Sequence, residues 1–362
     1  MKKKKKILFL PKYPRQGASS RLRTFQYLDL WKQQGVEVSV SSFFNSKYLS
    51  QIYQNQKPQF INVLKCYLKR CWVLMYSWRY DLIWIEKEAF PFLPSYAEWL
   101  IEKLGKGYIV DYDDAVFHNY DQNPNWLVRT WMGNKIDWVM RHSRIVFVGN
   151  SYLGKRAKLA GALDVQILPT VVETTVYSVH RNNNNSKIRL GWIGSPSTTK
   201  YLNFLTSIFE ELSKTLDFEL LIINSPHVQL PDFTCEYSLI PWKEEEESSQ
   251  ISQFDIGMMP LPDSDWEKGK CAYKLIQYMA CGLPVVASPV GMNKDVVRPG
   301  ENGFLASTEL EWLEALSLLI SDSSLRVKMG DAGRKLVENE YSLEKNFEKI
   351  KRAVEGVFHK GR

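Results

Sequence analysis

Two series of short β-branched or aromatic runs alternate with longer helical patterns, one on each side of a polar tract, and this duplication limits the chain to few folds. In the first series residues 7–10, 36–43, 82–85, 108–112, 145–148 and 165–168 read as strands, with a helix over 20–34 and helical segments between the later strands. In the second, residues 188–193, 218–223, 237–240, 256–259, 284–287 and 303–305 read as strands, and helices over 309–320, 323–338 and 342–358 close the chain. Strands that alternate with helices predict doubly wound parallel sheets, so the fold class is α/β with two Rossmann-like domains. The tract between them, 178–186, contains four consecutive asparagines, Asn182 to Asn185, and is too polar to bury a core. The expected organisation is a first domain over 1–177, a linker over 178–187, a second domain over 188–340, and a C-terminal helix over 341–362 able to pack back on the first domain. Open α/β sheets bind ligands outside the carboxyl ends of their strands, so two such domains facing across a cleft would both supply site residues.

Charge divides the halves. Residues 1–180 hold 26 Lys and Arg against 14 Asp and Glu, a net +12, and the rest of the chain holds 21 against 26, a net −5. A basic first half attracts anions such as phospholipid head groups or phosphorylated acceptors. Nucleic acid is not expected as a partner, because no nucleic-acid-binding motif accompanies the charge. Five cysteines, Cys66, Cys71, Cys235, Cys271 and Cys281, show neither CxxC spacing nor clustered histidines, which argues against both a disulfide framework and a zinc site. The first apolar run, 7–10, is stopped by Pro11 and Lys12, too early for a secretory signal, and no stretch approaches the ~20 apolar residues of a membrane span. A cytoplasmic protein is expected.

The most informative segment runs from Gly269 through Lys270, Cys271, Ala272, Tyr273, Lys274 and Gln277 to Gly282-Leu-Pro-Val-Val and Gly291. It reads as loop, helix, tight turn and buried strand. A helix starting near 271–273 offers unpaired N–H groups to a diphosphate, and Lys270 and Lys274 add formal charge. Gly194, Ser195 and Lys200 follow the first strand of the second domain, where a Gly/Ser turn lets backbone amides approach phosphate oxygens and Lys200 can neutralise a leaving diphosphate. In the first domain Gly17 opens a helix that carries Arg21 and Arg23, a glycine for close backbone approach and two arginines for a phosphate clamp. The pattern is not GxGxxG, which argues against an NAD-dependent oxidoreductase. Asp111, Asp113, Asp114 and His118 follow the strand at 108–112, and Glu86 and Glu88 follow the strand at 82–85; both sets are placed to hold acceptor hydroxyls. Finally, 63–80 and 126–144 mix tryptophans and aliphatic residues with lysines and arginines, and Val128, Met132, Ile136 and Met140 recur every four residues, as on a helix that lies on an anionic membrane surface.

The 269–291 segment, with Pro299-Gly-Glu-Asn-Gly-Phe-Leu305 and Tyr341-Ser-Leu-Glu344, resembles the donor-binding signature of glycosyltransferase family 4, the group 1 retaining enzymes of GT-B architecture. The resemblance covers roughly the last 170 residues; the first half matches more loosely, through Gly17-Ala-Ser-Ser-Arg21 and strand order. It implies a hexosyltransferase-type enzyme in polysaccharide or cell-envelope assembly, moving a sugar with retention from a nucleotide-sugar donor to a glycan or lipid-linked acceptor. No metal or other cofactor is implied, and contact with the membrane would be peripheral. The implied donor contacts are Gly17, Gly194, Ser195, Lys200, Trp242, Lys270, Cys271, Ala272, Tyr273, Lys274 and Gln277. The implied acceptor contacts are Arg21, Arg23, Glu86, Glu88 and His118, and the chemistry falls to Asp113, Asp114, Lys200 and Lys274. The family's paired glutamates would stand at 269 and 277, where this chain has Gly269 and Gln277. Gln277 can still bond a ribose hydroxyl, and Asp265 or Glu267 could replace the first glutamate. Three alternatives remain open: a GT-B epimerase, a non-catalytic sugar-nucleotide or lipid-binding subunit, and metal-dependent GT-A chemistry through the Asp111-x-Asp113 pair.

Overall fold

The computed structural model describes residues 4–54, 56–105, 107–179 and 187–360. Asn182 to Asn185, and most of the linker expected over 178–187, lie outside the described residues. The chain divides into two compact units: residues up to Thr170 together with those from Phe347 onward, and Val171–Asn346.

In the first unit, strands β1 (Lys6–Leu10), β2 (Glu37–Val40), β3 (Leu82–Glu86), β4 (Tyr108–Tyr112), β5 (Ile145–Val148) and β6 (Val165–Ile167) form one parallel sheet in the order β2-β1-β3-β4-β5-β6. The helices are α1 (Ala18–Arg23), α2 (Leu28–Gln33), α3 (Ser46–Tyr53), α4 (Phe60–Met75), α5 (Tyr96–Lys103), α6 (His118–Asp121), α7 (Trp126–Met132), α8 (Lys135–His142) and α9 (Ser151–Leu159). The inner strands β1, β3, β4 and β5 are buried almost throughout, as near-continuous Ile, Leu, Val and Phe runs require in a sheet covered on both faces. Trp84 joins them, its ring 5.4 Å from Phe9 and 5.1 Å from Phe147. The chain leaves β1 towards β2, then moves the opposite way at every later crossover. Right-handed crossovers therefore put α1 and α2 on one face of the sheet and α3–α9 on the other.

The expected helix over 20–34 is interrupted at Thr24, whose φ of −126° and ψ of −62° leave the helical region, so that α1, a 3₁₀ turn and α2 replace it. The four-residue stripe from Val128 to Met140 is likewise divided, at Gly133 and Asn134, between α7 and α8. Ile136 and Met140 are core residues, so that half of the stripe faces inward and not towards a membrane.

In the second unit β7 (Ile188–Ile193), β8 (Phe218–Asn224), β9 (Tyr237–Pro241), β10 (Ile256–Met259), β11 (Val285–Ala287) and β12 (Gly303–Leu305) form a second parallel sheet, ordered β12-β11-β10-β7-β8-β9. Its helices are α10 (Thr206–Ser213), α11 (Glu247–Ile251), α12 (Asp265–Lys268), α13 (Tyr273–Ala280), α14 (Asn293–Val296), α15 (Glu309–Ser321) and α16 (Ser323–Glu340). Helix α17 (Leu343–Lys360) starts here, and from Phe347 it belongs to the first unit, where Phe347 packs on Trp31 at 5.0 Å and Tyr27 at 6.4 Å. Residues 171–179 belong to the second unit: Val172 bridges to Ser342, and Arg334 donates to the carbonyls of Thr174 and Tyr177.

Candidate active site

Each sheet reverses its strand order once, and the polar residues collect at those two reversals. In the second sheet the reversal lies between β7 and β10, where open α/β sheets bind ligands. The loop after β7 carries Gly194, Ser195 and Lys200; the loop after β10 leads through α12 to Lys270 and α13.

Trp192 organises this end. A Cβ on Gly194 would lie 2.1 Å from the Trp192 ring, so glycine is required there for the indole to fold beneath the turn. On the ring, 4.3 Å from its centroid, sits the Lys274 ammonium. Burial, and then the charge of Lys270, push the Lys274 ammonium down to about 7. Lys274 belongs to the first turn of α13, whose N-cap, Ala272, holds a left-handed φ of +51°. A non-glycine residue in that region is strained, and such strain collects at ligand clamps. Helix α13 is fixed from below: a Cβ on Gly257 would lie 2.3 Å from the Tyr278 ring, and the Tyr278 hydroxyl accepts the Ile193 N–H at 3.1 Å. Tyr273 is half-buried and Cys271 buried beside Ala272.

Gln277 is buried with its amide Nε2 donating to Glu247 at 2.7 Å and to the Tyr177 hydroxyl at 3.0 Å. Trp242 donates its indole N–H to the other Glu247 oxygen at 2.7 Å. The carboxylate that position 277 lacks is thus supplied beside it by Glu247. Because Glu247 takes the amide nitrogen, the oxygen of Gln277 is the end left to accept a hydrogen bond. Sequence reasoning missed Glu247, which stands in a run of four glutamates that reads as solvated surface.

Ser195 donates its N–H to the Thr198 hydroxyl at 3.1 Å in a capping box, and Lys200 is exposed on the following turn. A cavity of about 360 Å³ within this unit is lined by Lys200, Tyr201, Asp263, Ser288 and Ser307 among others. Of the two stand-ins for the missing first glutamate, Asp265 pairs with Lys268 at 3.1 Å, while Glu267 is buried and accepts the Tyr201 hydroxyl at 2.5 Å. Burial would raise the Glu267 carboxyl, yet bonds from Ser264 and Tyr201 hold it below its usual value.

In the first sheet the reversal lies between β1 and β3. Glu86, at the end of β3, accepts the Lys12 N–H at 3.2 Å and the hydroxyls of Ser19 and Ser20 at 3.3 and 3.0 Å. Burial raises its carboxyl to about 7, and Asp113 adds to the effect that Lys87 opposes. Lys87 bridges Asp113 at 2.9 Å and Asp114 at 3.1 Å from a strained φ of +67°. Asp113, although partly shielded from water, is held at about 2 by Lys87, Arg23 and the Ser19 hydroxyl. Lys87 was not singled out from sequence, although its position between Glu86 and Glu88 marks it.

Arg23, Glu88 and His118, expected at the ligand, have their polar groups engaged within the protein. Arg23 is 1 % exposed and binds Asp111 Oδ1 through Nε at 2.9 Å and the Leu168 carbonyl through Nη1 at 2.8 Å. It cannot also clamp an acceptor phosphate, and Asp111 is closed to a metal from that side. Glu88 is buried against Lys135 at 2.5 Å and the Tyr120 hydroxyl at 2.6 Å. His118 has both ring nitrogens engaged, by Asp121 and by Tyr152, each at 2.8 Å. Gly17 serves packing, since a Cβ there would lie 2.5 Å from that of Tyr13. Arg21 is buried in the same short helix.

Comparison with known proteins agrees with this architecture. Residues 187–322 match the family model described as "Glycosyl transferases group 1". Sucrose-phosphate synthase of Thermosynechococcus elongatus superposes with a TM-score of 0.73 at 12 % identity, over 98 % of this chain and 100 % of that one. HepE of Anabaena, solved in complex with UDP and glucose, superposes with a TM-score of 0.68 at 13 % identity, over 97 % and 100 %. A glycosyltransferase of Rickettsia africae gives 0.69 at 12 %, over 97 % and 99 %. No curated protein shows significant sequence similarity. The chain therefore has the two-domain α/β fold of the GT-B glycosyltransferases, and its residues 187–322 match the group 1 domain.

Proposed function

We propose that the protein is a retaining, metal-independent glycosyltransferase of family 4 that moves a hexosyl group from a nucleotide-sugar donor onto a lipid-linked or polysaccharide precursor at the inner face of the cytoplasmic membrane. The observation that carries the reading is Lys274: a lysine over Trp192, next to Lys270 at the start of α13, with burial and a like charge acting against its ammonium. A diphosphate is a counter-charge suited to such a position. Lys200 and Lys270 add charge for the departing nucleotide, and the Gln277 oxygen accepts from a ribose hydroxyl. The group 1 match of residues 187–322 and the UDP complex of HepE support this assignment of the donor half.

In the first unit Asp113, held ionised by Lys87, and Asp114, paired with the same lysine, are placed to accept a hydrogen bond from the acceptor hydroxyl and orient it. A carboxyl held at about 2 is a weak base, so the proton passes to the leaving phosphate oxygen, which front-face transfer with retention requires. Arg23 and Glu88 are positioning residues that fix β4 and the loop after β3. Metal independence is supported by the Asp111–Arg23 pair, which occupies the first member of the Asp-x-Asp sequence.

The pH dependence of binding tests this reading. A diphosphate favours the Lys274 ammonium, so binding above pH 7 draws in a proton, and affinity is expected to fall by up to about tenfold per pH unit above that point. Calorimetry of nucleoside diphosphates in EDTA between pH 6.5 and 9 measures it. Binding that strengthens with pH, or that appears only with a divalent cation, contradicts the proposal.

A further inference from the structure

Helices α4, α5 and α7 expose apolar side chains where a covered sheet calls for polar ones. Helix α4 is anchored by Arg70, buried 5.3 Å from the Phe43 ring and donating to the carbonyls of Ala89, Pro11 and Ser41. With Cys66 and Arg70 inward, Leu64, Leu68, Trp72 and Met75 point outward at helical spacing, and Trp72 is 62 % exposed. Helix α5 repeats the arrangement: Glu98 and Ile101 are buried, Glu98 accepting the Ala89 N–H, while Tyr96, Trp99 and Leu100 face out. Helix α7 has no buried residue, and its Trp131 is 81 % exposed. All three lie on the same face of the first sheet. The loop ahead of α5 is held to both neighbours: the Tyr67 hydroxyl of α4 donates to the Pro91 carbonyl, and the Phe92 N–H donates to Tyr120 of α6, which precedes α7.

The charge among these side chains selects the occupant. Lys65, Lys69, Lys103 and Arg129 are exposed on the three helices, against the single exposed acid Glu102, and Arg79 stacks 5.4 Å over Trp78 just beyond α4. Exposed tryptophans and tyrosines ringed by cations fit the headgroup boundary of an anionic bilayer. A second copy of the chain would set like charges against each other across an isologous contact. Among the described residues no helix is long and apolar enough to cross a membrane, so the contact lies in the plane of the surface.

We infer that the outward faces of α4, α5 and α7 dock the first unit on an anionic lipid surface, which deepens the lipid-linked reading of the acceptor and rests on it. This surface draws on both segments expected from sequence, 63–80 and 126–144, adds α5, and leaves out Ile136 and Met140, which are core.

Co-sedimentation of the full chain with vesicles of phosphatidylcholine, with and without phosphatidylglycerol, tests it. The chain is expected to sediment with the anionic vesicles, less so in high salt. The variants Leu68→Glu/Trp72→Glu and Trp131→Glu change exposed side chains only; the double variant is expected to lose about a hundredfold in vesicle affinity while keeping its thermal stabilisation by nucleoside diphosphate. Equal sedimentation with neutral vesicles, none with anionic ones, or a dimer in analytical ultracentrifugation that the double variant abolishes would overturn the inference. Failure to bind vesicles with nucleotide stabilisation intact defeats the docking surface alone. Vesicle binding without any nucleotide response defeats the transferase reading alone.

Discussion

Replacing Arg23 with methionine is expected to destabilise the protein by about 3–5 kcal/mol, the cost of leaving a buried carboxylate without its partner. Both groups are almost completely enclosed, and the guanidinium also holds the Leu168 carbonyl beside β6. Burial already raises the Asp111 carboxyl above its ordinary value, against the pull of Arg23, and Asp113 adds a like charge. Without Arg23 the Asp111 carboxyl rises further. A carboxyl whose folded value exceeds its unfolded value contributes stability that is present at acid pH and lost as pH rises, so the variant's deficit should be smaller near pH 4 than at pH 7. Urea unfolding followed by tryptophan fluorescence at both pH values measures this, and the double variant Arg23→Met/Asp111→Leu should recover much of the loss. A deficit below about 1 kcal/mol at pH 7 would mean that the pair is not a structural keystone.

The substitution Lys274→Met should have the opposite profile, removing catalysis while leaving the fold intact. Loss of one preorganised group that stabilises developing charge costs about 10²–10³-fold in turnover. The apoprotein gains, because methionine fills the place over Trp192 without a charge to desolvate. The pH signature follows from the folded value of about 7, below the ordinary 10.5. Between those limits the unfolded chain binds more protons than the folded one, so native stability from this group rises as pH rises, and the variant lacks that rise. Thermal midpoints from pH 7 to 10, together with turnover, separate the two effects. A variant that turns over at half the native rate or more would remove Lys274 from the mechanism.

Strands were legible because each is a short apolar run closed by a turn residue. The runs 108–112, 145–148, 256–259 and 303–305 coincide with β4, β5, β10 and β12. Helices were less so, since the backbone breaks at Thr24 and at Gly133-Asn134 leave the apolar period unbroken. At the site, the Gly269–Gly291 segment lies within the residues that match the group 1 domain, whereas the charges of Arg23 and Glu88, expected at the ligand, form internal pairs. Arg23 meets Asp111 across 88 positions and Lys135 meets Glu88 across 47, separations invisible to any local pattern. Glu247, 30 positions before Gln277, escaped for the same reason. The apolar stripe of α4 was visible in sequence, but only the inward anchor Arg70 fixes which side is out.

The most direct measurement is nucleoside diphosphate release from a panel of nucleotide sugars, in EDTA, by the full chain and by the Lys274→Met variant, with and without anionic vesicles that carry extracted lipid-linked acceptors. Release from one donor, dependent on the acceptor and lost in the variant, is expected. Conversion of the donor sugar without release, or no consumption of any donor, would contradict it.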